Sequence, residues 1–158
     1  MNGFVNGKER SMQTLVVRTQ QDLNACLEIR REVFIQEQGV PEELEMDELD
    51  VLESGSGVHV LVRDDAGRAV ATGRLKDYSA GTAKFQRVAV REDVRSHGYG
   101  VAVMKALENS AKDMGFEQVV LDAQCTAEGF YRKLGYHVLD TTRFLDAGIE
   151  HVKMGKRL

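Results

Sequence analysis

One junction constrains this chain more than any other: a glycine-bearing turn that joins a strand-like run to an amphipathic helix. Residues 88–90, Val-Ala-Val, are typical of a strand end, and residues 98–114 carry apolar side chains at helical spacing. Gly98 and Gly100 allow the backbone to turn sharply and a ligand to approach it. The first N–H groups of a helix lack partners and carry the positive end of its dipole, so the junction favours a phosphate or pyrophosphate, beside which Arg95 adds a positive charge.

The rest of the chain has alternating strand and helix patterns. Strands are predicted at residues 13–18, 58–63, 69–76, 84–90, 119–121, 136–139 and 151–154, helices at residues 20–36, 98–114 and 127–134, and a loose connection at residues 78–81. The early hairpins indicate antiparallel neighbours, whereas the strand–helix–strand order around the long helix indicates a parallel pair. We therefore predict an α/β (α+β) fold, with a mixed, mostly antiparallel central sheet and helices on both faces.

Length and composition fit one globular domain. The chain has 158 residues, 42% of them hydrophobic and 29% charged. Residues 12–158 are predicted to form this domain and residues 1–11, which are polar and contain glycine, a disordered N-terminal extension. No apolar run is long enough for a membrane span or a secretory signal. The formal net charge of -4 does not suggest nucleic-acid binding, and the two cysteines, Cys26 and Cys125, fit free thiols in the cytoplasm.

Residues 42–53 form an acidic segment in which seven of twelve residues are acidic and none is basic. Leu44, Met46, Leu49 and Leu52 interleave with the acids, which indicates an amphipathic segment with a solvated face. The functional alternative is a wall that attracts a cationic amine. Both interpretations stay open at the level of sequence.

The glycine turn differs from two common nucleotide-binding loops. It lacks the Gly-Lys-Ser/Thr ending of a Walker loop. It also lies in mid-chain after antiparallel strands, with a long connection before the first glycine, which disfavours a Rossmann fingerprint.

Two separate motifs resemble the GNAT N-acetyltransferase family. Residues 95–100, Arg-Ser-His-Gly-Tyr-Gly, are similar to its acetyl-CoA pyrophosphate loop, and residues 124–136 are similar to its second cofactor segment, with Gln124 in place of the usual Asn. Residues 30–41 and 146–151 further resemble a bacterial branch whose acceptors are mostly unassigned. The resemblance implies a parallel pair that is splayed, with the pantetheine arm held along the first strand. The cofactor-binding residues it implies are Val88, Val90, Arg95, Ser96, His97, Gly98, Tyr99, Gly100, Gln124, Ala127 and Tyr131.

Acetyl transfer to an amine needs removal of a proton, a donor to the oxyanion and an acid for the departing thiolate. The resemblance implies Tyr131 as the acid and a backbone N–H at or near Val88 as the donor. His151 is a candidate base, although a strand histidine with a satisfied hydrogen bond is the simpler interpretation. Glu37 and Glu48 are substrate-side carboxylates and alternative bases, and ordered water is a further option.

We thus expect an acetyl-CoA-dependent N-acetyltransferase that modifies a primary amine by direct attack in a ternary complex. Small-molecule and protein amines both stay open as acceptors. The alternative function is a non-catalytic acyl-CoA-binding or sensing module, and a generic phosphate-binding protein is a third. The exposed edges of such a sheet favour a homodimer. No metal is expected, because the four histidines do not have the spacing of metal ligands.

Overall fold

The computed structural model describes residues 11–52 and 57–158. The extension expected at residues 1–11 therefore lies, apart from exposed Ser11, outside the described residues. The strands are β1 (Gln13–Val16), β2 (Gly57–Arg63), β3 (Ala69–Ser79), β4 (Thr82–Val90), β5 (Gln118–Gln124), β6 (His137–Asp146) and β7 (Ile149–Arg157). The helices are α1 (Gln20–Arg30), α2 (Glu42–Glu45), α3 (Tyr99–Asp113) and α4 (Glu128–Lys133), with a π-helical segment at Arg31–Glu37 and 3-10 turns at Glu92–Val94 and Cys125–Ala127.

The described strands form one seven-stranded sheet in the order β1-β2-β3-β4-β5-β7-β6. Every neighbouring pair is antiparallel except β4 and β5, which run parallel. Alternate residues of β2 pack into two different cores, Val60 with α3 on one face and Leu61 with α1 on the other. The predicted mixed sheet with helices on both faces is confirmed.

The parallel pairing between β4 and β5 is short. It runs only from Thr82 and Gln118 to Phe85 and Leu121. Both strands continue beyond this point, to Val90 in β4 and to Gln124 in β5. The two strands are therefore splayed, and a gap opens between their carboxyl ends.

A β-bulge at Arg87 accompanies the splay. Arg74 of β3 pairs with Gln86 and Thr72 pairs with Ala89, so β4 has one more residue than β3 in this interval. Arg87 has a φ of 58°, which a side-chain-bearing residue rarely adopts. Phe85 faces the α3 core and Ala89 the α1 core, although a regular strand would place both on one side. Beyond the bulge, the side chains of β4 therefore face the opposite side of the sheet from the one that regular alternation would give.

Helix α3 anchors the sheet from one side. Its buried residues are Val103, Met104, Leu107 and Ala111. The apolar spacing of residues 98–114 predicts a stripe of Val101, Met104, Leu107, Ala111 and Met114. Its three middle members are buried, whereas Val101 is half-buried and Met114, which follows the last helical turn, is 49% exposed. A Cβ at Gly73 of β3 would lie 2.7 Å from Val103 Cγ1, so the missing side chain permits this close approach.

Three predicted segments differ from the structure. The helix expected at residues 20–36 becomes π-helical from Arg31 onward, a change of hydrogen-bond partner that the apolar spacing does not reveal. The loose connection at residues 78–81 is a tight turn, with Gly81 at a φ of 74° and Ser79 paired with Thr82. The last hairpin extends well beyond residues 136–139 and 151–154. The sequence underestimated its length, because β6 is mostly exposed and lacks the apolar–polar alternation that marks a strand.

The acidic segment is bound to the sheet by arginines. We call residues 42–52 the acidic strap. Arg30 of α1, which is 1% exposed, contacts Glu45 and Asp50 at 2.6 Å each. Arg74 of β3 contacts Asp47 at 2.7 Å and Asp50 at 3.0 Å. These carboxylates are therefore paired with buried cations, so this part of the strap is not the solvated face that the sequence suggested.

The bulged Arg87 completes this network. Its side chain contacts Glu45 at 3.3 Å and Asp47 at 3.6 Å. Three arginines thus face three carboxylates, and the network has no net charge.

Among the described residues, no helix is both long enough and apolar enough to cross a membrane.

We expect Arg30→Met to destabilise the protein by about 3–5 kcal/mol, because it leaves Glu45 and Asp50 buried without their closest cation. Urea denaturation followed by circular dichroism measures the loss. The matched control is Arg68→Met, which breaks the exposed pair between Arg68 and Asp93. A surface pair contributes little, so the control should leave the midpoint nearly unchanged. Equal effects of the two variants would contradict a stabilising role for the buried network.

The loss of stability caused by Arg30→Met should depend on pH, in a direction set by the pKa values of Asp50 and Glu45. Burial opposes ionisation of Asp50, but hydrogen bonds from Arg30 and from the N–H of Asp47 outweigh it and hold the pKa of Asp50 below its usual value. A lowered pKa stabilises the fold above the unfolded value of about 4, and the stabilisation is lost as the pH falls through the folded pKa. Burial raises the pKa of Glu45, so protonation of this group relieves part of its cost. The destabilisation by Arg30→Met should therefore shrink between pH 7 and pH 3.

Candidate functional site

A cavity of about 160 Å³ opens where β4 and β5 diverge. Its walls come from the π-helical segment, the acidic strap, the ends of β4 and β5, α4, and the turn between β6 and β7. The predicted residues Val88, Gln124, Ala127, Tyr131 and His151 all line it. The splay therefore brings together residues that are far apart in sequence.

His151 lies in this wall with one ring nitrogen already committed. Its Nδ1 is 2.7 Å from the carbonyl oxygen of Ile149, which can only accept a hydrogen bond, so Nδ1 carries the proton. The ring stacks on Phe144 with centroids 5.8 Å apart, and the residue is 8% exposed. Nε2 of the neutral ring consequently keeps its lone pair. The strand-histidine interpretation and the base are thus compatible, because each uses a different nitrogen.

Tyr131 supplies a phenol to the same cavity. Its ring makes edge-to-face contacts with Phe130 at 5.0 Å and Tyr136 at 5.9 Å, which fix its orientation. Burial raises the pKa of Tyr131 to about 12. The hydroxyl is therefore protonated at neutral pH and available as a donor.

Gln124 is engaged by a partner from the opposite wall. Its Nε2 donates to Oε1 of Gln38 at 2.9 Å, and Nε2 of Gln38 donates back to Oε1 of Gln124 at 3.4 Å. Gln38 follows the π-helical segment, so this amide pair joins the end of that segment to the end of β5 across the cavity.

The turn before α3 exposes backbone donors. Ser96 has a φ of 67° and Gly98 a φ of 87°. In the part of the chain that the structure describes, the N–H groups of Gly98 and of residues 99–101 donate to no protein acceptor. His97 Nδ1 lies 2.8 Å from the carbonyl oxygen of Arg95, so its side chain braces the loop from within. This cradle fits a phosphate group.

The two glycines of the turn have different surroundings. A Cβ on Gly98 would meet nothing within 4 Å, whereas one on Gly100 would lie 3.1 Å from the ring of Phe130. Gly98 therefore gives the turn its left-handed backbone, and Gly100 makes room for α4. Tyr99 packs at the edge of the α3 core.

Arg95 and Glu37 form a bidentate ion pair. The two guanidinium nitrogens contact the carboxylate oxygens at 2.7 and 2.6 Å, and Nε donates to the carbonyl oxygen of Val90 at 3.0 Å. The hydrogen bonds from Arg95 hold the pKa of Glu37 below its usual value. Glu37 thus lies at the phosphate loop rather than in the cavity, and Glu48 is exposed and does not line the cavity.

Four charged residues of the cavity wall were not anticipated from the sequence. They are Lys84, Arg87, Asp122 and Asp146. Lys84 and Asp122 each interrupt a buried strand, between Ala83 and Phe85 and between Leu121 and Ala123 respectively. A charge inside a buried strand was the available signal. Within residues 11–52 and 57–158, no group of three or more His, Cys, Asp or Glu side chains is placed to hold a metal ion.

Comparison with known proteins defines the class. The family model described as "Acetyltransferase (GNAT) domain" matches residues 15–158. The chain therefore belongs to the GNAT family of acetyltransferases, as its motifs predicted. Acyl-CoA is the co-substrate of this family, and the phosphate cradle and the splayed strands fit it.

Individual relatives agree with this assignment. The chain is 40% identical over 147 residues to the Bacillus subtilis protein named "Uncharacterized N-acetyltransferase YjcF", covering 92% of this chain and 99% of the relative. A solved structure from Lactobacillus plantarum superposes with a TM-score of 0.85 at 26% identity, covering 94% of this chain and 99% of that one. An acyl-CoA N-acyltransferase from Pseudomonas aeruginosa superposes with a TM-score of 0.79 at 28% identity, covering 92% and 99%.

Proposed function

We propose that this protein uses acetyl-CoA to acetylate a primary amine by direct attack in a ternary complex. One observation carries the proposal: His151, whose Nδ1 is committed to the carbonyl oxygen of Ile149, and Tyr131 line a single cavity at the splayed end of β4 and β5. These are a base and an acid at the place where the family's thioester would lie. Acetyl-CoA supplies an activated acetyl carbonyl and a thiolate leaving group.

The phosphate loop and β4 would bind the donor. The N–H groups of residues 98–101 would receive the diphosphate, aided by the dipole of α3. The edge of β4 from Gln86 to Val90 has no pairing with β5, so it is available to the pantetheine arm. A backbone N–H at or near Val88 would donate to the oxyanion.

His151 and Tyr131 would divide the proton transfers. His151 Nε2 takes a proton from the attacking ammonium group, directly or through water, and the amine nitrogen then bonds to the acetyl carbon. As the carbon–sulfur bond breaks, the Tyr131 hydroxyl donates its proton to sulfur. The amine nitrogen, which is positively charged after the attack, gives its second proton to the Tyr131 phenolate, and His151 releases the first proton to solvent. The products are the acetylated amine and the free CoA thiol.

The rival function is a non-catalytic acyl-CoA-binding module. Such a module would keep the phosphate loop but would have no need for His151 and Tyr131 in one cavity. We favour the enzyme for that reason. A generic phosphate-binding protein would bind adenine nucleotides without preference for the pantetheine arm.

Isothermal titration with acetyl-CoA, and with ATP as control, tests the donor. We expect clear binding of acetyl-CoA and weak binding of ATP. Gly98→Ala should weaken acetyl-CoA binding by roughly tenfold, because it disturbs the donors to a charged group. Gly67→Ala is the matched control, since Gly67 also has a φ of 87° and open space around it but lies in the turn between β2 and β3. Absence of acetyl-CoA binding by folded protein would end both the enzyme and the sensor interpretations.

Tyr131→Phe should lower kcat by roughly tenfold to a hundredfold while acetyl-CoA affinity changes little, because only the proton donor is lost. Release of the CoA thiol measures the rate. Tyr136→Phe is the control: its hydroxyl donates to Glu108 at 2.7 Å, outside the cavity, so stability should suffer but turnover should not. Unchanged turnover in Tyr131→Phe would exclude the phenol from the reaction.

His151→Gln should lower kcat/KM by roughly a hundredfold, because a side-chain amide cannot take the proton of the attacking ammonium group. Thiol release with a fixed amine measures the rate. His137→Gln serves as control, since His137 is exposed on β6 and does not line the cavity. If His151→Gln keeps the full kcat/KM, the base is ordered water or a carboxylate.

A further inference from the structure

The acidic strap does not make the cavity an attractor for cations. Glu45 is the strap's charged residue in the cavity wall, and Arg30 and Arg87 contact it. Because the three carboxylates of this network are matched by three arginines, the strap adds no net charge there. The charges that can select an acceptor are those on the floor of the cavity, where β4, β5 and β7 lie side by side.

Two lysines share one carboxylate on this floor. Lys84 Nζ lies 2.9 Å from Asp122 Oδ2, and Lys153 Nζ lies 3.8 Å from Asp122 Oδ1. Both ammonium groups also lie over the ring of Tyr78, at 5.5 and 5.3 Å from its centroid. Asp122 is the carboxylate within 4 Å of both ammonium groups. Asp140 of β6 lies opposite Lys153, so the second ammonium group has another carboxylate nearby.

Lys84 is the lysine of this pair that lines the cavity. Its side chain is 17% exposed, and it lines the cavity together with Asp122. Lys153 lies farther out, opposite Asp140 of the exposed strand β6. The partly desolvated ammonium of Lys84 would therefore gain from a second anion.

The opposite end of the cavity is negative. Asp146, the last residue of β6, lines the cavity, and no described residue forms an ion pair or hydrogen bond with its side chain. His151 lies between the two ends, because Lys153, His151 and Ile149 alternate on one face of β7. Lys153 and His151 are two residues apart, which corresponds to roughly 7 Å along a strand.

We propose that the acceptor is a small amino acid-like molecule whose carboxylate binds at Lys84 while its amine lies at His151, several carbons away. This proposal rests on the proposed function, since it names the acceptor class of the same cavity. The ammonium of Lys84 has three N–H donors, and Asp122 is the carboxylate that the described residues place within 4 Å of it, so donors remain for the carboxylate of a substrate.

The test compares three acceptors of matched length: 6-aminohexanoate, hexylamine and 1,6-diaminohexane. Thiol release gives kcat/KM for each with saturating acetyl-CoA. We expect 6-aminohexanoate to exceed hexylamine by roughly tenfold or more, as a hydrogen bond between charged groups predicts. Equal values, or a preference for the diamine, would overturn the proposal.

Variants assign the preference to Lys84. In Lys84→Met the ratio of 6-aminohexanoate to hexylamine should fall to about one, whereas Lys84→Arg, which keeps the charge, should retain most of it. Lys105→Met is the control, because Lys105 is exposed on α3 and does not line the cavity. Lys153→Met, which should reduce the ratio partially, replaces Lys84→Met if that variant does not fold. A ratio that is unchanged in both lysine variants would overturn the proposal.

A second readout separates this proposal from the proposed function. If acetyl-CoA binds but no amine is acetylated, the proposed function fails. Calorimetric titration of 6-aminohexanoate and hexylamine into the acetyl-CoA complex then decides the anion site directly. Tighter binding of 6-aminohexanoate that is lost in Lys84→Met would support the site, and equal binding would reject it.

Discussion

The short ladder between β4 and β5 is the constraint on which the rest of this structure depends. Four residue pairs join the two strands before they diverge. The extra residue at Arg87 reverses which side of the sheet the following side chains of β4 face. The end of β4 therefore has an edge that is not paired with β5, and its residues line the cavity. A positive φ at a residue with a long side chain costs of order 1 kcal/mol or more, and packing on both sides must hold it. Local backbone strain and the site therefore coincide.

The same arginine connects the strand to the acidic strap. Each buried guanidinium must be balanced by a carboxylate, because an unpaired charge of either sign in the interior is costly. Arg30, Arg74 and Arg87 come from three different elements and meet one short segment. The strap therefore has a defined position over the cavity although its only helix, α2, is four residues long. Its order comes from electrostatic pairing rather than from helical propensity.

Much of the fold follows from local patterns in the sequence. The spacing along α3, the glycine turn and the hairpin signals are each read over fewer than twenty residues, and they suffice for the sheet and its parallel pair. The phosphate loop was equally accessible, because Gly98 and the first turn of α3 belong to one segment. Features that depend on distant partners were not. The pairing of Gln124 with Gln38, of Arg95 with Glu37 and of Lys84 with Asp122 joins residues 38 to 86 positions apart. The bulge at Arg87 and the π-helical segment leave the hydrophobic spacing almost unchanged, so the periodicity of the sequence does not reveal them either.

Gly100 affects the distance between two parts of the proposed donor site, the start of α3 and the phenol of Tyr131. The Phe130 ring occupies the space where a side chain at residue 100 would begin, and the same ring rests edge-on against Tyr131. The start of α3, which would receive the diphosphate, is thus one aromatic ring away from the phenol that would protonate sulfur. The distance between these two ends is set by rigid packing rather than by a flexible loop. In the proposed reaction this packing would fix the distance between the diphosphate and the thioester, so a donor bound at the loop would present its thioester to Tyr131 at a fixed depth.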